Sequence, residues 1–311
     1  YHELCVADQY PACYPIFASL PKLTVHSWLT ALQTERLEQK ARLITERLKH
    51  CNHNWEDVFF VTLARNFGFG LNGDAFETWA GMLPFRAIDK HRNDLFQIEA
   101  FFYGLAGLLE DSFLKKGQED EYSLRLIKEF RYLQRKFEFT QVMNATLWRF
   151  LRLRPENFPT VRLAQLAYLY QRGGKLFSRL LEAGTLAEVR TLLEVGTSSY
   201  WESHYLFGRT SSQKKKTMGE RSKDLIIINT VVPFLYTYGL HKANEGMCER
   251  AGRFLEELKA EDNHIIRSWS AAGLPVVSAA DSQALIQLQK EYCDRRKCLY
   301  CRFGYEYLRH K

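Results

Sequence analysis

Apolar residues in this chain recur at the spacing of a helix almost from end to end, and the alternation that marks a half-buried strand is nearly missing. From Thr24 to about Cys51, Leu29, Leu32, Leu37, Leu43, Ile44 and Leu48 fall at spacings compatible with one face. Gln33, Glu35, Arg36, Glu38, Gln39, Lys40 and Arg42 cover the other. Further helical runs are expected over Trp55–Asn66, stopped by Gly68, and over Asp74–Leu83, ended by Pro84. Asp94–Leu109 is apolar on most sides and predicts a buried helix, and Glu121–Phe137 is amphipathic. Val161–Tyr170, Lys175–Glu182 and Leu186–Leu193 read as three short helices, and Glu245–Leu258, His264–Ala272 and Asp281–Glu291 close the series, with Asp281 as an N-cap. Leu225–Leu240 predicts a buried helix kinked at Pro233, with a strand at Ile226–Ile228 as the alternative. The expected fold class is all-α, a bundle-like set of helices with few or no strands.

A chain of 311 residues spans about two domains or one large one. Residues 1–23, with three prolines between Tyr10 and Pro21, read as an extended leading segment. The doublets Arg154-Pro155 and Phe158-Pro159 disfavour helix, so Arg154–Thr160 is the expected seam between a lobe over 24–153 and one over 154–311. Gly208–Lys223 is polar and basic and reads as an exposed loop. Tyr200–Phe207 is aromatic and ambiguous. No apolar run approaches the ~20 residues of a membrane span, and no phosphate-loop or HExxH motif is present. With no signal-peptide pattern, the expected location is cytoplasmic.

Two features carry chemistry. Cys293, Cys298 and Cys301 form C-x4-C-x2-C beside Arg295, Arg296 and Lys297, while Cys5, Cys13, Cys51 and Cys248 are scattered. Thiolates at that spacing suit a soft metal, zinc or an iron–sulfur cluster, and neighbouring cations favour the thiolate form. A fourth ligand would come from Cys248, Cys13, His310 or His241. Thiols without metal, or one disulfide, are the alternatives. The second feature is charge. The formal net charge of +7 resolves into +6 over residues 145–180, +5 over 209–223 and +4 over 289–311, with the rest negative. Arg149, Arg152, Arg154, Arg162, Lys214, Lys215 and Lys216, with Trp148, Phe150 and Phe158 interleaved, are candidate phosphate contacts to DNA or RNA. Ordinary solvated charge is the alternative for any one of them.

Candidate catalytic groups are sparse. Glu202, Ser203 and His204 crowd three positions, but such neighbours do not face one another on a helix. Asp89, His91, Asp94 and Glu99 could bind a divalent ion, but helix-end capping and solvation is the favoured reading. Asn157 is expected to hydrogen-bond its own loop.

Several strings together resemble a known family: Trp28 to Lys40 (WLTALQTERLEQK), Asn66 to Asn72 (NFGFGLN), Gln97 to Ala100 (QIEA), Arg154 to Gln165 (RPENFPTVRLAQ), Tyr200 to Tyr205 (YWESHY) and the final cysteines. The chain resembles the C-terminal part of a bacterial family catalogued as domain of unknown function 2851. The resemblance spans nearly all 311 residues and brings no assigned catalytic residues. It implies a longer protein with a β-rich, nuclease-like N-terminal part absent here. The start at Tyr1, without Met, fits that expectation. On this reading the chain is a helical nucleic-acid-binding module, more binding part than enzyme. A structural protein-interaction scaffold is the main alternative, and an enzyme of unknown class the second.

Overall fold

The structure, a computed structural model, describes residues 4, 11–51, 53–114 and 119–310. Among them sixteen α-helices follow one another. The first ten are α1 (Lys22–His50), α2 (Trp55–Phe67), α3 (Gly73–Gly81), α4 (Phe85–Asp89), α5 (Leu95–Leu105), α6 (Glu121–Phe137), α7 (Pro159–Arg172), α8 (Leu176–Glu182), α9 (Leu186–Leu192) and α10 (Ser199–Glu202). The rest are α11 (Glu220–Ile226), α12 (Val232–His241), α13 (Glu245–Glu257), α14 (His264–Ala271), α15 (Ala279–Gln287) and α16 (Arg302–Arg309). The only strands among the described residues, β1 (His204–Leu206) and β2 (Arg209–Thr210), form a short antiparallel pair. The chain is all-α. None of the described helices is long and apolar enough to cross a membrane.

Two compact units form. One comprises residues 1–49 and 231–311, the other residues 50–230. The Arg154–Thr160 loop, the expected seam, lies inside the second unit. A proline doublet ends helices, but it does not by itself separate cores.

In the unit of residues 50–230 the buried centre is α5, whose residues from Ile98 to Leu105 are almost entirely shielded. It packs against α6 and α7. Asp94 caps it by accepting from the N–H groups of Phe96 and Gln97. Trp79 on α3 donates its indole N–H to the Phe102 carbonyl at 3.0 Å, so even the main polar atom of that side chain is satisfied inside. In the other unit, α1 buries Val25, Leu29, Gln33, Leu37, Ala41, Ile44 and Leu48. Leu43, assigned above to that face, is 53% exposed. The spacing i, i+3, i+4 allowed either stripe, and the neighbours chose the one containing Ala41. Helix α12 pairs with α13 across a tight turn. Phe17, Trp28, Trp269 and Phe303 meet at the unit's aromatic core.

Three expectations are corrected. The leading segment is not extended where it is described: Tyr14–Ser19 is a 3-10 helix with Pro15 at its start, while residues 1–3 and 5–10, Cys5 among them, lie outside the described residues. Gly208–Lys223 is not a free loop, because Lys216, Met218 and Lys223 are buried and α11 begins at Glu220. Asp281 is not the cap of α15. Ser278 is, and Asp281 answers it at the third helical position in a capping box.

The irregularity at Pro233 takes a specific form. Residues Ile227–Val231 run as a π-helix, and α12 starts beside the proline. Pro233 has no N–H for the carbonyl of Asn229, four residues earlier. That carbonyl instead accepts from Asn66 Nδ2 at 3.1 Å, which also donates to Thr230 Oγ1 at 2.8 Å.

Candidate functional site

The basic segment around residue 150 is built on a clamp. Gly68 ends α2, and a Cβ there would lie 2.5 Å from the Asn72 and Gly73 backbone, so the turn closes only on glycine. That turn buries Asn72, 3% exposed. Its side chain meets the backbone of Arg149 on both sides. The Arg149 N–H donates to Asn72 Oδ1 at 2.8 Å, and Asn72 Nδ2 donates to the Arg149 carbonyl at 2.9 Å. Next to it Trp148 is buried, with its indole N–H on the Ala106 carbonyl at 2.8 Å. Phe150 sits against Phe113 and Phe158. The chain between these anchors turns outward. Arg149, Arg152 and Arg154 are exposed, Arg152 adopts a left-handed backbone (φ 65°), and Leu151 is 86% exposed.

The other proposed phosphate contacts divide. Arg162 is buried, 6% exposed. Its guanidinium lies 4.5 Å over the Phe69 ring and donates to Gln165 Oε1 and Asn157 Oδ1 at 2.9 and 2.6 Å. Burial pushes its pKa down to about 10, so it remains a cation. Asn157 therefore bonds Arg162 rather than its own loop. Lys216, 4% exposed, stands 3.6 Å above the Tyr205 ring and donates to the Glu202 carbonyl. Both are structural cations on aromatic faces, and neither is presented to a phosphate. Lys214 is exposed and pairs with Glu156. Lys215 is exposed. The surviving surface set is Arg149, Arg152, Arg154, Lys214 and Lys215. The Lys214–Glu156 pair ties the two basic segments together.

No triad forms at Glu202, Ser203 and His204. His204 Nδ1 lies 2.8 Å from the Tyr200 carbonyl, which only accepts, so that nitrogen carries the proton. It is therefore no base toward Ser203 Oγ, 3.1 Å away. The His204 ring stacks on Tyr200 at 3.9 Å, and Glu202 accepts from Gln213. The acidic quartet is dispersed too. Asp89 takes Arg92 and the Tyr170 hydroxyl, both at 2.6 Å. Asp94 caps α5, and His91 faces Gln97. Glu99 is fully buried elsewhere, bonded by Tyr122 and Ser198. Sequence reasoning missed this last network. Burial pushes the Glu99 carboxyl up to about 7, against the lowering pull of the Tyr122 and Ser198 hydrogen bonds. Its Oε1 is buried with no hydrogen-bond partner among the described residues.

The cysteines follow a different pattern. Cys13 and Cys301 are buried in the same apolar cluster, with Cys293 and Cys298 packed against it. Cys248 instead donates to the Tyr236 carbonyl, and His310 pairs with Glu306. Among the described residues, no group of three His, Cys, Asp or Glu side chains is arranged to hold a metal ion.

Residues 1–264 match the family described as protein of unknown function (DUF2851), and the chain belongs to that family. No curated protein and no solved structure matches it.

Proposed function

We propose that this member of the DUF2851 family binds nucleic acid through the loop of residues 149–154, in the cytoplasm. One observation carries the reading: Leu151 stands 86% exposed among three exposed arginines on a backbone clamped by Asn72. Guanidinium forks suit phosphate oxygens in two-point contacts. An exposed aliphatic side chain between them suits a base step or an unstacked base, as apolar wedges do in bent duplexes. Preorganisation matters here, because a loop already held in place loses little entropy on binding. Lys214 and Lys215 extend the contact. Glu156 is the acid a phosphate would displace, and exposed pairs of this kind hold weakly.

The test is anisotropy of labelled duplex and single strands with the full chain at 50 and 200 mM salt. Binding should weaken as salt rises, and R149A, R152A and R154A should each flatten the log–log salt dependence by about one unit. L151A should weaken binding while leaving the salt slope unchanged. Absence of binding at low salt, or binding without a salt slope, overturns the reading. A partner held by Leu151 but indifferent to the arginines would make the loop a protein-docking point instead.

A further inference from the structure

We infer that Cys13, Cys293, Cys298 and Cys301 form one four-thiolate site for a soft metal centre, a zinc ion or an iron–sulfur cluster, with Cys13 as the ligand the C-terminal motif lacks. The inference is independent of the nucleic-acid reading.

The juxtaposition comes from packing. Cys13 directly precedes the 3-10 helix Tyr14–Ser19, which packs on α16. Phe17 of that helix meets Phe303 edge-on at 5.5 Å, and Phe303 meets Trp28 at 5.1 Å. Residues nearly 300 positions apart in sequence thus share one apolar cluster. The 3-10 turn that opens at Cys298 packs on α16 and on the π-helical turn that ends at Cys293, so the segments carrying the four cysteines adjoin one another. Of the four candidate fourth ligands, only Cys13 is buried with the motif.

Each cysteine of the motif sits at the end of a short helical element. Cys293 ends a π-helical turn, Leu288–Cys293, Cys298 opens the 3-10 turn Cys298–Tyr300, and Cys301 caps α16. The turn between is closed by Arg296 N–H on the Cys293 carbonyl and Lys297 N–H on the Tyr292 carbonyl, with Arg296 left-handed. A Cβ on Gly304 would lie 2.4 Å from the Cys298 carbonyl oxygen, so the first turn of α16 presses directly on Cys298. None of the four is joined in a disulfide. Four thiolates carry more negative charge than a divalent ion cancels, and Arg295, Arg296, Lys297 and Arg302 lie in the same segment to offset it. An all-sulfur donor set selects zinc or iron–sulfur chemistry. Each S–H yields its proton to solvent as the S–metal bond forms, and the side chains draw inward. Zinc, with Zn–S near ~2.3 Å, would bring the sulfurs to about 3.8 Å from one another.

The full chain should be purified anaerobically without chelator, and its metal and sulfide content and visible absorption measured. One zinc per chain, or stoichiometric iron and sulfide with broad visible absorption, is expected and tells the two apart. C13S should lose metal to a competing chelator more than about tenfold faster, the loss already typical of disturbing an outer-shell partner, and C248S should match the wild type. A metal-free chain whose thiols all alkylate freely, or a C13S chain that keeps its metal as the wild type does, overturns the site. Should C13S fail to fold, the wild type decides. Chelation should expose Cys13, Cys293, Cys298 and Cys301 to alkylation together. Labelling of Cys13 while the other three stay protected overturns it.

Discussion

Glu99 shows what one buried carboxyl can do to a whole fold. In the unfolded chain it titrates near 4.5, and in the folded chain burial holds its proton to about pH 7. Between those values the folded form binds more protons, so its contribution falls as pH rises through that window and levels off above it. Ionising Glu99 in place should weaken the fold by about 3 kcal/mol. Urea unfolding of the wild type from pH 4 to 8 should show that decline, and E99Q should flatten it. An unchanged slope in E99Q would assign the pH dependence to other groups. Asn72 acts at the same scale on the surface loop. N72A strands the Arg149 N–H and carbonyl at a buried clamp, which should cost about 1–3 kcal/mol in urea. It should also weaken nucleic-acid binding although no charge is removed. A variant that binds as tightly as wild type would show that the loop needs no preorganisation.

At the level of elements, the break before Pro233 is a matter of hydrogen-bond accounting. A proline inside an apolar helical run predicts a kink, and that much was visible in the pattern of Leu225–Leu240. The π-helical form of the break was not, because it depends on Asn66, some 160 residues earlier, supplying the donor that proline lacks. N66A should therefore destabilise by about 1–3 kcal/mol. P233A should relieve part of that loss by restoring an N–H for the Asn229 carbonyl. A double-mutant cycle checks the coupling, and strictly additive effects would disprove it. The same logic explains the legibility of the helices. Glu121–Phe137 and Trp55–Phe67 were readable nearly to the residue, because caps and apolar stripes are local signals. Gly208–Lys223 was misread because local polarity said nothing of Tyr205, on whose ring Lys216 is buried.

At the scale of the molecule, the metal and the nucleic acid proposed above should act on different units. Hydrogen exchange on the full chain should show metal removal loosening segments of residues 1–49 and 231–311 while α5 in the other unit keeps its protection. Nucleic acid should instead protect residues 149–154. Loss of protection at α5 on chelation would mean the units do not respond independently. The all-helical class, the absence of an apolar span and the clustering of positive charge were properties of the sequence alone, since periodicity and charge are carried by neighbouring residues. Tertiary structure alone decided which charges face outward. It turned Arg162 and Lys216 inward onto aromatic rings, left Arg149, Arg152 and Arg154 outside, dispersed the acidic quartet, and brought Cys13 to the terminal cysteines. Those outcomes depend on contacts between residues tens to hundreds of positions apart, and only packing of the folded core sets them.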